Sequence, residues 1–168
     1  ALTTDQVQAI ETRDIAVLTT TQLGNLATST VQALSSTQVI ALTTQQVAGL
    51  STQTIAALTT DQIQAIETAD VQALTTAQMA GLNTATVQAL SSTQIQSLKT
   101  NQIAGLTSVG VQALTTDQVV ALNTQQVAGL ATSTIAQLTT EQIRAIETTD
   151  VGVLTTTQLG NLPTNAVQ

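Results

Sequence analysis

The sequence predicts an all-α solenoid of very short helices, and three observations carry that prediction. An eight-residue block such as Thr59-Thr60-Asp61-Gln62-Ile63-Gln64-Ala65-Ile66 tiles the chain from Thr3 to Gln168 without insertion. With the octad numbered 1 to 8, position 5 is always Val, Ile, Leu or Met, and position 8, wherever present, is Leu or Ile. Position 2 is Thr or Ser in all twenty-one units. An internal repeat of this regularity decides the fold before local propensity does.

The spacing of positions 5 and 8 selects the helix. In a straight strand alternate residues share a face, so these positions point to opposite sides and the only bulky apolar residues cannot join one core. A β-solenoid, the alternative architecture, therefore needs a bend in every unit. In a helix residues three apart share a face, so Ile63 and Ile66 stack as one ridge, with a small residue such as Ala65 or Gly81 at position 7 beside it. Gln, Ala and Leu favour helix, and the Tyr, Phe and Trp that enrich strands are absent. The helix must break in each octad, because eight residues at about 100° each rotate the ridge by about 80° per unit and smear it around the cylinder. What remains is a helix of about six residues, roughly 9 Å long, too short to persist alone in water. The stability of each unit must come from its neighbours.

The pair at positions 1 and 2 marks the break. Position 1 is Ala27, Lys99 or Pro163 in some units, none of which caps by side chain, whereas position 2 always carries a hydroxyl, so position 2 is the expected N-cap. Where position 1 is Thr, Ser or Asn and position 4 is Gln, as in Thr59 and Gln62, a capping box one residue earlier competes with it.

Taken in order, the chain opens at Ala1-Leu2, positions 7 and 8 of a preceding unit, and closes at Gln168, position 6 of the last, with no initiator Met. No linker, composition shift or Gly/Pro cluster interrupts it, so residues 1–168 read as a single repeat-array domain, a fragment of a longer array. Longer repeats sit above the octad. Thr3 to Leu58 resembles Thr59 to Leu114, a shift of seven octads, and Thr43 to Leu74 resembles Asn123 to Leu154, a shift of ten. Thr139 to Gln168 matches Thr3 to Gln32 at 21 of 30 positions, a shift of seventeen octads, which puts the parent repeat near the length of this chain. Position 4 is usually Gln but is replaced at Asp14, Thr30, Thr54, Asp70, Thr86, Gly110, Thr134, Asp150 and Ala166. If the replacements mark one side of the solenoid, a coil holds about 2.4 octads, or roughly nineteen residues.

Composition narrows the chemistry. Ten acidic and three basic residues (Arg13, Lys99, Arg144) give a net charge of −7, and no residue is aromatic. Such a chain neither neutralises phosphates nor stacks bases, so nucleic acid is not an expected partner, and a polybasic membrane contact fails for the same reason. No apolar run approaches the ~20 residues of a membrane-spanning helix. Cys is absent, which excludes disulfides and thiolate metal sites, and His, Cys and Tyr are all missing, which removes triads, thiol nucleophiles and imidazole bases. The chain is not expected to be an enzyme. We assign no catalytic, cofactor-binding or metal-ligating residue, and no cofactor.

Two weaker signals compete with structural roles. The acids cluster as Asp5, Glu11 and Asp14, then Asp61, Glu67 and Asp70, then Glu141, Glu147 and Asp150, and each trio offers oxygen ligands of the kind calcium takes. Their positions 1, 3 and 4 also fall at helix starts, where an acid is stabilised by about 0.3–1 kcal/mol through the helix dipole, and no Asp-rich loop with a Gly turn accompanies them. The rows of position-2 hydroxyls, if aligned between coils, would form a Thr ladder able to meet ice or a crystalline polysaccharide, although capping accounts for them without a ligand. Position 6 varies among Gln, Ala, Gly, Val, Ile and Arg and is expected to face outward.

The units Leu-Thr-Thr-Asp-Gln-Ile-Gln-Ala-Ile at 58–66 and Leu-Thr-Thr-Glu-Gln-Ile-Arg-Ala-Ile at 138–146 resemble the Leu-Thr-Thr-x-Gln-Ile/Val-x-Ala-Leu arrays of very large secreted or surface-attached bacterial repeat proteins, commonly grouped with adhesins and exported matrix components. The resemblance covers the whole chain and carries over no functional residue. It implies an extracellular, non-enzymatic role as a spacer or fibre-forming segment. Expected partners are other copies, end to end or laterally, with polysaccharide or cell-surface contact as a further possibility.

Overall fold

The structure, a computed structural model, describes residues 3–146 and 148–163, the side chain of Thr149 excepted, so Ala1-Leu2, Glu147 and Ala166 lie outside the described residues. Within them each octad forms one helix of four to six residues, twenty in all, running from Thr4–Gln8 to Thr156–Leu159. No strand occurs among the described residues, which settles the choice against the β-solenoid.

The helix start lies one residue earlier than expected. The N-cap is position 1, in extended backbone, and position 2 is the first helical residue. Thr59 Oγ1 accepts the Gln62 N–H at 3.3 Å, while the Thr59 N–H donates to Gln62 Oε1 at 2.9 Å, so two N–H groups that the helix leaves free are satisfied reciprocally. At one unit the return bond persists without a side-chain cap. Lys99 has no acceptor, yet its N–H still reaches Gln102 Oε1 at 2.7 Å. In the other described units whose position 1 makes no cap bond, at Glu11, Ala27, Glu67 and Ala131, position 4 has also lost its Gln. The converse does not hold, since Ser51, Asn83 and Thr107 still cap their helices where position 4 is Thr54, Thr86 or Gly110. Position-2 side chains make no hydrogen bond among the described residues, so their hydroxyls are not caps.

Each helix ends without a left-handed residue: no described residue, glycine included, has positive φ. The position-8 N–H closes a tight turn on the position-5 carbonyl, as from Ile66 to Ile63 at 3.3 Å, and extended backbone at positions 8 and 1 leads into the next helix.

Successive coils stack with positions 5 and 8 inward. Position 5 is nearly inaccessible through most of the array, with Ile55, Val71, Met79, Val87 and Ile135 at 0% exposure, and position 8 closes the core beside it. The coil is longer than the substitutions at position 4 suggested. Helix Ser36–Ile40 packs on Thr60–Ala65, and Thr52–Ala56 on Thr76–Gly81, three octads on, while hydrogen bonds also join residues 28 and 31 apart. One coil therefore holds about 28 residues, or 3.5 octads, so each helix sits across the junction of two helices in the next layer. The seven-octad shift in the sequence is two coils, since 7 × 8 = 2 × 28.

Contact between layers explains the small residues at position 7. A Cβ on Gly49 would lie 2.5 Å from Thr20 Cγ2 and 2.8 Å from Thr20 Cβ, and rotating the Thr side chain cannot move its Cβ away. Gly49→Ala is expected to cost about 1–3 kcal/mol through overpacking. Gly24, whose added Cβ would meet nothing within 4 Å, should behave oppositely, and Gly24→Ala is expected to gain about 0.5–1 kcal/mol from helix propensity alone. Urea titration of the two variants checks the pair of signs.

Candidate functional site

The buried polar chemistry of this molecule is concentrated in the position-4 glutamines. From Thr30 to Gln158 every position-4 residue is buried, whereas in the first coil Gln6, Asp14 and Gln22 are exposed. An interior Gln uses both ends of its amide. Gln94 Oε1 accepts the Ser91 N–H at 2.8 Å, and its Nε2 donates to the Ile63 carbonyl at 2.8 Å and the Ile66 carbonyl at 2.7 Å. The same geometry recurs at Gln38 on Val7 and Ile10, Gln78 on Val47 and Leu50, and Gln142 on Val111 and Leu114, always at separations of 31 and 28 residues. Each interior Gln thus caps its own helix and ties that helix to the unit four octads earlier, through positions 5 and 8 except at Gln158, which takes the Ala128 and Leu130 carbonyls. The position-8 carbonyl lies in the extended link between helices, so it lacks a helical partner and the glutamine supplies its donor. No buried side-chain nitrogen or oxygen among the described residues is left without a partner.

The units that lack Gln define a seam. Thr30, Thr54, Thr86, Gly110 and Thr134 follow one another at 24, 32, 24 and 24 residues, three or four octads each time, so each lies one coil beyond the last. Their side chains are too short to reach the carbonyls below. Beside Thr134 lies a half-open pocket of about 130 Å³, lined in part by Leu106, Val111, Ser133, Thr134 and Gln137. Thr134→Gln, combined with Ala131→Thr to restore the cap, is expected to bridge the Ile103 and Leu106 carbonyls and stabilise the chain by about 1–2 kcal/mol. A raised midpoint of thermal unfolding would confirm this; an unchanged midpoint would mean the pocket cannot house the longer side chain.

The acids do not converge. Asp5, Glu11 and Asp14 are exposed; Glu11 pairs with Arg13 at 2.6 Å, and Asp14 lies 3.9 Å from the same guanidinium. Asp61 and Glu67 are exposed while Asp70 is buried, and Glu141, exposed, lies 3.5 Å from Arg144 with Asp150 buried. Glu147 lies outside the described residues. Among the described residues no three acidic side chains are placed to hold one metal ion. The exposed ion pairs add little to stability, about 0–1 kcal/mol each. Asp70 and Asp150 owe their burial to position 4.

A surface depression of about 390 Å³ is lined by Ala16, Leu18, Thr19, Thr20, Thr43, Gln45 and Gln46, with no ionisable group. No helix among the described residues is long and apolar enough to cross a membrane. What the sequence did not disclose is the second partner of each glutamine. The signal that could have pointed to it is the persistence of Gln at position 4 beside freely varying positions 3 and 6.

The family model described as the ALTTAQ repeat matches residues 7–44, 63–100 and 95–124. No curated protein matches the chain. The six letters of that description stand in this sequence at Ala73-Leu74-Thr75-Thr76-Ala77-Gln78. They span the small contact residue, the core leucine, the N-cap, the first helical residue, one exposed position and the clamping glutamine.

Proposed function

Since this chain belongs to the ALTTAQ repeat family, we propose that it serves as a structural spacer, a stiff segment that sets distance within an exported bacterial surface or matrix protein. The observation that carries this reading is the glutamine clamp, because it fastens every coil to its predecessor through main-chain carbonyls and so depends on the repeat rather than on any one residue. Extension costs nothing new: each added coil finds the same acceptors. The placement outside the cell rests on the resemblance to secreted and surface-attached arrays. A Cys-free chain suits it, since no part of the fold depends on a redox state. The reading is non-enzymatic, as the buried polar side chains serve caps and inter-coil bonds.

The rival reading, a Thr ladder presented to ice or polysaccharide, has less support. With 3.5 octads per coil, a position-2 Thr in one layer faces position 7 of the next, as Thr20 faces Gly49, so the rows recur in line only every second coil. An assay of thermal hysteresis, or a polysaccharide pull-down, separates the two readings.

The spacer reading is tested by shape. Six coils, 168/28, at the 8–10 Å typical between packed helices give a stack of about 50–60 Å. Duplicating Thr59 to Leu114 should lengthen it by roughly 16–20 Å at constant cross-section, since that segment is two coils. Small-angle scattering measures both quantities, and growth in all dimensions together would overturn the proposal.

A further inference from the structure

Charge is segregated around the solenoid. Counted in coils of 28 residues, the ten acids and three bases all fall, by sequence register, on residues 1 to 15 of a coil, and residues 16 to 28 carry none in any coil. The trio Asp61, Glu67 and Asp70 lies two coils on from Asp5, Glu11 and Asp14, and Asp117 lies two coils on from Asp61. The stack therefore has an acidic side and a neutral side.

The fold does not require this division. Position 3 lies in the first helical turn, where the helix dipole favours an acid on any side of the stack. It is Asp5, Asp61, Asp117 or Glu141 on one side, but residues such as Gln53, Ala77 and Asn101, all exposed, on the other. The neutral side is not an apolar patch either, since Ile40 and Val120 are exposed on the acidic side and Val109 on the neutral one. It also holds the close-packed Gly49, Gly81, Gly105 and Gly129. Its surface is built of short hydroxyl, amide and methyl side chains, which lose less freedom on being covered than Lys, Arg or Glu would.

We propose that two copies of the chain lie side by side, neutral side on neutral side, with both acidic sides turned outward. Three arguments select a second copy as the occupant. The net charge of −7 sits on the opposite side, so lateral approach by any other route sets like charges together or buries them unpaired. Hydroxyls and amides both donate and accept, so the face complements itself, and the shared repeat lets a contact made at one coil recur at the next. The molecule exposes 8265 Å², of which a standard interface of about 800 Å² per partner takes roughly a tenth. Both partners use the same face, and residues 16 to 28 cover less than half of the circumference, so the contact is isologous and closes as a pair. The inference rests on the stacked shape of the spacer reading and adds its partner.

The experiment is light scattering coupled to chromatography, with small-angle scattering, on the 168-residue chain. As concentration rises to about 1 mM, wild type should pass from 17.2 kDa to twice that mass, and the particle should thicken at constant length. Gln53→Glu/Ala77→Glu/Asn101→Glu sets three carboxylates on each neutral side, so association should weaken by about tenfold or more with circular dichroism unchanged. Thr37→Glu/Thr93→Glu/Gln125→Glu adds the same charge at exposed position-3 sites on the acidic side and should pair as wild type does. Raising salt from about 0.1 to 0.5 M should change the association by less than about threefold, because the outward charges are already screened over ~10 Å. A steep rise with salt would mean that acidic sides meet, and would overturn the proposal. So would a particle that lengthens instead of thickening, a neutral-side variant that pairs normally, or a wild type that stays monomeric, whether or not a neutral polysaccharide binds this side. If that monomer is elongated, the spacer reading survives; if it is globular, both fall.

Discussion

Gln94→Leu is expected to lose about 3–5 kcal/mol, more than an apolar substitution of similar volume would at an ordinary surface-facing position. The leucine fills the space but leaves the Ser91 N–H and the Ile63 and Ile66 carbonyls without the three bonds they now make at 2.7–2.8 Å. The carbonyl of Ile66 is the most exposed to this loss, since the chain there is extended and offers no helical donor. Stability in a stacked array is shared between neighbours, so the deficit should appear first as opening between two adjacent coils. Hydrogen exchange should report faster exchange near 63–66 and 91–94 than near either end of that block, and protection equal to wild type would show that the clamp carries no weight. Gln94→Glu separates the two halves of the amide. Its carboxylate still receives the cap N–H, but ionised it cannot donate, and burial against carbonyl oxygens raises its pKa above the usual ~4.3. A raised carboxyl pKa makes the folded state hold the proton more tightly, so the variant should be most stable at acid pH and lose stability as pH rises through that range.

Leu74→Asp is expected to be worse, at more than about 4 kcal/mol, because it places an unpaired charge where Leu74 is 6% exposed. The position is doubly committed: its side chain lines the core and its carbonyl accepts Gln102 Nε2 at 2.8 Å. Displacing this backbone to hydrate the carboxylate breaks the tie to the coil above, so several octads should melt together. The far-UV circular dichroism signal would fall in steps on heating; a melt indistinguishable from wild type would remove position 8 from the core.

Positions 5 and 8 could be assigned from the sequence because a core needs bulky residues on one face, and Ile63 with Ile66 admit only one periodicity that provides it. The helix length and the break in every octad followed from the same geometry. The cap was misplaced by one residue because the hydroxyl of position 2 is constant, and constancy there reflects something else. Thr20 lies close against Gly49, so a small residue suits the contact, although nothing in the structure explains why it must carry a hydroxyl. The coil length was misjudged for a different reason. The substitutions at position 4 mix two sets, the seam of Thr30, Thr54, Thr86, Gly110 and Thr134 and the separate aspartates 14, 70 and 150, so their average spacing is not the length of a turn. The seven-octad likeness held the right number, but only the pairing of Gln62 with Val31 and Leu34 shows that it spans two turns. A partner 28 residues away leaves no mark in an eight-residue motif.

A glutamine that finds its acceptors by counting back along the chain is indifferent to which unit it meets. If Thr59 to Ile66 were excised, Gln78 would stand 28 residues from Leu42 and 31 from Val39, whose carbonyls now lie under Asp70, and would meet them as it now meets Leu50 and Val47. Unequal recombination between near-identical units would therefore yield a shorter or longer chain that still folds, so a gene of this kind can adjust the reach of its product in single-unit increments without inventing a new joint.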